Sequence, residues 1–124
     1  MSLTQSPLIE VKRIKGKGRG VFAKQFIPAG TVIERVPVLV FPMDNPLADR
    51  LSDYVFMWGR GTVALALGYG SLYNHSYTPN ARYDDIRQQS KEFTAIRDIE
   101  AGEEITVNYN GEPGDNSEVW FEVI

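Results

Sequence analysis

Gly68-Tyr69-Gly70-Ser71-Leu72-Tyr73-Asn74-His75-Ser76-Tyr77-Thr78-Pro79-Asn80 is the stretch of this 124-residue chain richest in side chains that do chemistry. It holds three tyrosines, two asparagines, the chain's only histidine and a Pro-Asn turn. Taken alone it admits a plain reading, in which Asn74 and Asn80 satisfy loop backbone and His75 is a hydrogen-bonded, half-buried side chain. Its flanks supply the setting. Before it stand the short runs Val21-Phe22-Ala23, Thr31-Val32-Ile33 and Val38-Leu39-Val40-Phe41, and after it Phe93-Thr94-Ala95-Ile96 and Ile105-Thr106-Val107. These are β-branched and aromatic pieces of strand length, punctuated by 11 glycines and 7 prolines, and they predict a mainly β fold.

Helices are expected to be scarce. Asn45 can cap and Pro46 suits a first helical position, which predicts a helix carrying Leu47, Leu51, Tyr54, Val55 and Trp58 on one face and ending before Gly59. The continuous run from Tyr54 to Trp58 also reads as a strand, because periodicity cannot decide over so few residues. Ile27-Pro28-Ala29-Gly30-Thr31-Val32-Ile33 is echoed by Ile99-Glu100-Ala101-Gly102-Glu103-Glu104-Ile105. With Pro28 at the second position and Gly30 at the fourth, the first copy reads as a type I turn, and the echo predicts two similar strand-turn-strand corners.

The composition, 43% hydrophobic and 23% charged, is that of one ordinary globular domain spanning 1–124. Without cysteine there are no disulfides, thiolate metal sites or cysteine nucleophiles, and one histidine cannot build a histidine-rich metal site. No metal is expected. Apolar runs fall far short of the roughly 20 residues of a membrane span, and Met1 to Glu10 lacks the pattern of a signal peptide. A cytoplasmic protein follows, with the nucleus or nucleoid left open. The net charge of −3 gives no general attraction to nucleic acid, so direct binding to it is not expected, and a homodimer is compatible with the sequence.

Two further segments carry candidate chemistry. In Gly16-Lys17-Gly18-Arg19-Gly20 the glycines would let a ligand approach the backbone, and Lys17 or Arg19 could meet a carboxylate. The spacing is neither the dinucleotide fingerprint nor the phosphate-binding loop, and a plain glycine-rich turn is the competing reading. The stretch from Ile96 to Tyr109 reads as a strand, a turn and a strand ending in tyrosine. Its adjacent Glu103 and Glu104 would point to opposite faces, which argues against a shared acid-base site and leaves them as solvated turn charges.

In this order the three segments resemble the SET-domain family of protein-lysine methyltransferases, over about Ile9 to Tyr109. The family's G-x-G element matches Gly18-Arg19-Gly20 followed by Val21-Phe22-Ala23. Its asparagine-histidine motif matches Asn74-His75-Ser76 with Pro79-Asn80 behind it, and its closing motif matches Glu103-Glu104-Ile105-Thr106-Val107-Asn108-Tyr109. The resemblance implies small curved β-sheets, one or two short helices, and a C-terminal stretch threaded in a knot-like way that brings Asn74 and Tyr109 together. It implies S-adenosylmethionine held by Lys17, Gly18, Arg19, Gly20, Asn74, His75 and Tyr109, with methyl transfer to a lysine ε-amine of a protein substrate at Tyr109. Cofactor and substrate would enter from opposite faces.

The departures from the family are also informative. Lacking cysteine, the chain cannot form the zinc element that many members carry after the final tyrosine; Trp120 or Phe121, in a short tail over 110–124, is expected to cover the adenine instead. The closing motif reads Val-Asn-Tyr where aromatic-Asp-Tyr is common, and the run from Ile33 to Val38 lacks the tyrosine often found there. Tyr54, Phe56 and Tyr83 are therefore expected to wall the lysine channel, with Tyr83 acting beside Tyr109. Val107 takes a position where members often place a product-limiting aromatic residue.

The inventory suits methyl transfer, which needs a neutral amine aligned behind an S–CH₃ bond. A lysine of pKa about 10.4 costs roughly 4–5 kcal/mol to deprotonate at pH 7, and an aromatic channel beside a sulfonium lowers that cost. One alternative is a SET-like domain that binds protein without methylating it. Another is a β-rich hydrolase using Ser71 or Ser76 with His75, against which the missing Gly-x-Ser-x-Gly elbow counts.

Overall fold

The structure is a computed structural model that describes residues 6–16, 18–87 and 89–119. Among the described residues two sheets make up the fold. The first contains β1 (Ile9–Ile14), β2 (Gly18–Ala23), β9 (Glu104–Val107) and β6 (Asn74–His75), in that order. The second runs β4 (Val55–Met57), β5 (Thr62–Ala66), β3 (Val32–Pro42), β8 (Ser90–Ala95) and β7 (Ala81–Ile86). Every pairing is antiparallel except β6 with β9, where Asn74 faces Thr106 and His75 faces Val107. The last strand thus slots between β2 and β6, two strands far from it and from each other in sequence, with Val21 opposite Ile105 on one side and Asn74 opposite Thr106 on the other.

The expected strands at 31–33 and 38–41 are one 11-residue strand, β3, whose register slips between Val32 and Glu34. That irregularity lets one long strand pair with β8 at one end and β5 at the other. The expected long helix is corrected. Only Pro46–Arg50 is helical as α1, capped by the Asn45 side chain accepting from the Leu47 N–H at 2.9 Å. Val55–Met57 is a strand because it pairs with β5, and that ladder outweighs the weak helical pattern.

The repeated corners are present, but their turns are shifted by one residue from the expectation. Thr31 N–H bonds the Pro28 carbonyl and Glu103 N–H bonds the Glu100 carbonyl, so Gly30 and Gly102 occupy the third turn position, each at φ +86°. Positive φ there is the demand of a type II turn, not a type I turn. The two corners meet each other through reciprocal 2.8 Å hydrogen bonds between Ile27 and Ile99, both fully buried. With Phe93, Val21, Ile105 and Val107 they form the centre of the core.

Asn80, 1% exposed, clamps the last strand from the side. Its Nδ2 donates to the Glu104 carbonyl at 2.8 Å and its Oδ1 accepts from Thr106 N–H at 2.9 Å. Asn108 anchors the segment after β9, donating to the carbonyls of Asp115 (2.6 Å) and Pro113 (3.3 Å). An aspartate in its place has no N–H to offer these carbonyls, which accounts for the amide in the closing motif. Among the described residues no helix is long and apolar enough to cross a membrane.

Candidate active site

The parallel pairing of β6 with β9 decides what sits where. Asn74 Nδ2 donates to the Arg19 carbonyl at 3.0 Å and to Glu104 Oε2 at 2.7 Å, tying β2, β6 and β9 at one point. A Cβ on Gly20 would fall 2.6 Å from that Glu104 oxygen and 2.9 Å from Asn74 Nδ2. With Ile14 Cδ1 closer still at 2.5 Å, Gly20 leaves its space to that methyl and to the hydrogen bond, whereas Gly16, Gly18 and Arg19 border open space. Glu103 points elsewhere, bonding Arg97 at 2.8 Å and the Glu100 N–H at 3.0 Å. The pair is split as expected, yet both are structural partners and not loose turn charges.

His75 is 4% exposed, and its Nδ1 accepts the Tyr109 N–H at 2.9 Å. That bond requires an unprotonated Nδ1, and burial lowers the imidazole pKa in the same direction. The histidine stands behind the site and fixes the backbone of Tyr109. The Tyr109 hydroxyl donates to the Tyr73 carbonyl at 2.6 Å. Tyr73 is held in turn by a 2.8 Å bond from its hydroxyl to buried Glu34 and by stacking on Phe93 with ring centres 4.3 Å apart. Tyr83 donates to the Tyr109 carbonyl at 3.2 Å. Burial pushes both Tyr109 and Tyr83 up to about 12; nearby Tyr83 adds to the shift of Tyr109 and nearby Asp85 to that of Tyr83. Both phenols are neutral at physiological pH.

Two concavities meet at these tyrosines. A groove of about 1100 Å³ is walled by Arg13, Ile14, Lys15, Gly18, Arg19, Leu72 and Asn74. A narrower cavity of about 440 Å³ is walled by Phe56, Tyr83, Asp84, Asp85, Lys91 and Glu112. Asp53, Tyr54, Ser71, Tyr73 and Tyr109 border both. The groove carries cations at its edge, with Arg13 directly opposite Arg19 across β1 and β2, whereas the cavity carries carboxylates.

The model of the SET domain family matches residues 18–110. The chain belongs to the SET-domain family. It is 38% identical over 123 residues to the Schizosaccharomyces pombe histone-lysine N-methyltransferase specific for H3 lysine 37, covering 95% of this chain and 79% of that one. It is 32% identical over 95 residues to the histone-lysine N-methyltransferase set9 of Emericella nidulans, covering 72% of this chain and 15% of that protein. A crystal structure of a Plasmodium falciparum protein assigned as a histone methyltransferase superposes with a TM-score of 0.70 at 28% identity, over 84% of this chain and 98% of that one. The Polycomb Repressive Complex 2 of Chaetomium thermophilum, in a humanized, inhibitor-bound form, shares the fold with a TM-score of 0.67 at 20% identity, over 86% of this chain and 15% of that one.

In this SET domain the sequence-derived residues divide. Gly18, Arg19, Asn74 and Tyr109 line the groove, and Tyr54, Phe56, Tyr83 and Tyr109 line the narrower cavity. Gly20, His75 and Val107 line neither. Val107 is 1% exposed, paired with His75 inside the core, and so does not reach the narrower cavity that it was expected to wall. Lys17, Trp120 and Phe121 lie outside the described residues. Ser71 and Ser76 are engaged as loop groups, by the Ala66 N–H and by Thr78. Sequence reasoning missed Tyr73, Asp53, Arg13 and Lys91. Tyr73 stood in the opening stretch, but nothing in its spacing set its ring apart from Tyr69 or Tyr77.

Proposed function

We propose that the groove holds S-adenosylmethionine and that the narrower cavity admits a substrate lysine, so that the two meet at Tyr54, Tyr73 and Tyr109. Membership of the SET-domain family makes the chain a protein-lysine methyltransferase. The observation that carries the assignment of the two cavities is their shared border of three tyrosines. The groove fits the cofactor chemically: Arg13, Lys15 and Arg19 suit its carboxylate, and Asn74, fixed by Glu104, offers a rigid wall. When bound, that cofactor supplies an electrophilic methyl group on a sulfonium.

The chain's own contribution is positional. Tyr109 is held at its backbone by His75 and at its hydroxyl by the Tyr73 carbonyl, so its phenol keeps a fixed position where the two cavities meet. The aromatic walls exclude water and so favour the neutral amine over the ammonium. Asp84 and Glu112 pair with Arg82 and Asp85 with Lys91, yet the carboxylates along the cavity, with Asp53, outnumber its one lining cation, Lys91, which suits a substrate segment rich in lysine and arginine. The two curated relatives are histone-lysine methyltransferases, which supports a histone or similarly basic protein as substrate and a site of action at chromatin. Of the short tail expected over 110–124, residues 110–112 border the narrower cavity, and residues 120–124 lie outside the described residues.

Incubating the chain with S-adenosylmethionine and histone H3, followed by mass spectrometry, tests the reading. Methyl groups on lysine that disappear with Tyr109→Phe are expected. Folded protein that methylates neither histones nor other basic proteins would leave the inactive, protein-binding alternative in its place.

A further inference from the structure

Lys91 is a lysine inside the cavity proposed for lysine. It sits on β8 between Val36 of β3 and Asp85 of β7, and its side chain is only 3% exposed. The ammonium lies 4.1 Å from the centre of the Phe56 ring, 4.4 Å from that of Tyr83 and 5.5 Å from that of Trp58, while Asp85 accepts a hydrogen bond from it. Three aromatic faces and a carboxylate around one ammonium form the environment that recognises methylated ammonium groups. Here the protein's own cation already fills it. Phe56 and Tyr83 also touch edge to face with centres 4.9 Å apart, so the ammonium packs against the same two rings that wall the cavity, and Tyr83 reaches Tyr109. Asp85 is half exposed, so it supports this cation without requiring it for burial.

We propose that Lys91 is a specificity-determining residue: by filling the cage of Phe56, Trp58 and Tyr83 it denies that cage to an already methylated substrate lysine and sets the channel toward low methylation states. The inference rests on the reading of this cavity as the lysine channel. Its physical basis is twofold. A second cation approaching Lys91 meets like-charge repulsion in a partly desolvated site, and a methylated amine, bulkier and unable to give up its charge once trimethylated, feels both exclusions most. An unmethylated lysine can deprotonate and avoid the repulsion.

The test compares wild type with Lys91→Ala, which empties the cage, and Lys91→Met, which removes the charge while keeping most of the volume. Binding of N-acetyl-lysine amide and of its trimethylated form is titrated by NMR, without cofactor or turnover. Lys91→Ala is expected to raise the ratio of trimethyl to unmodified affinity at least tenfold, and Lys91→Met to raise it about threefold. In the activity assay the ratio of kcat/KM for dimethylated over unmodified peptide should rise in the same order; the folded fraction cancels within each ratio. If Lys91→Ala does not fold, Lys91→Met alone decides. Unchanged ratios in the folded variants, including no detectable binding of either compound, overturn the proposal. Failure of the broader reading is separate: it would appear as wild-type protein with no methyl transfer at all.

Discussion

The groove and the narrower cavity, proposed as the lysine channel, share five bordering residues but differ in origin and in charge. The groove draws its walls from the glycine-rich element and the Asn74 segment, joined by the bond from Asn74 Nδ2 to the Arg19 carbonyl, and its rim is cationic. The narrower cavity draws its distinctive walls from β4, β7, β8 and residues 110–112, none of which carries a recognisable motif, and its rim is acidic. A ligand that every member of a family must bind constrains sequence at fixed spacings. A wall that selects among substrates needs only shape and charge, which many sequences provide.

The largest effect is expected where the two regions touch. Tyr109→Phe removes the hydroxyl that donates to the Tyr73 carbonyl but leaves the ring, so transfer should fall about 100-fold through lost alignment while cofactor affinity changes little. Single-turnover rates and cofactor titration check this together. Equal losses in both would mean that the tyrosine belongs to the groove alone.

Asn74→Ala sharpens the comparison from the groove side. It removes the bonds to Glu104 and to the Arg19 carbonyl, and cofactor binding should weaken by about 1–3 kcal/mol, with affinity for lysine analogues in the channel unchanged. Calorimetry with each ligand separately measures both. On the channel side, Tyr83→Phe should cost about 1 kcal/mol of stability in a denaturant titration, from the lost bond to the Tyr109 carbonyl. If Tyr83 also limits the space beside the substrate amine, products should shift toward the di- and trimethyl states at matched turnover. An unchanged product ratio with the stability loss alone would make Tyr83 a packing residue.

The smallest effect is on pH. Tyr109 and Tyr83 keep their protons up to about 12, so both hydroxyls remain neutral donors as the substrate amine deprotonates with rising pH. The rate should climb toward the ordinary lysine pKa of about 10.4 without a falling limb from either phenol below about pH 11. A fall between about pH 8 and 10 that vanished in Tyr109→Phe would contradict this.

The same contrast explains what the sequence made legible. Asn74 and Tyr109, far apart in the chain, were brought together by motif resemblance, and the structure brings them together through β6, a strand of two residues that no periodicity could have disclosed. The β4 segment was ambiguous because its pairing with β5, a tertiary fact, decides between helix and strand. Gly20 and His75 were legible as motif residues but not as supports, since their role depends on the Glu104–Asn74 bond and on the Tyr109 backbone. Lys91 gave a signal only through strand alternation, against its residue type. By residue type a lysine reads as solvent-facing, and it lies before the run Phe93 to Ile96 that marked the strand; alternation extended back from Phe93 and Ala95 puts it on their buried face, under the rings of Phe56 and Tyr83.

Cofactor binding to the isolated chain tests the division of labour most directly. Calorimetric titration with S-adenosylmethionine, in the presence of a chelator, should give saturable one-to-one binding to wild type, clearly weakened binding to Asn74→Ala and unaltered binding to Tyr83→Phe. No heat from folded wild-type protein at millimolar cofactor, or equal weakening in the two variants, would contradict the assignment of groove and channel.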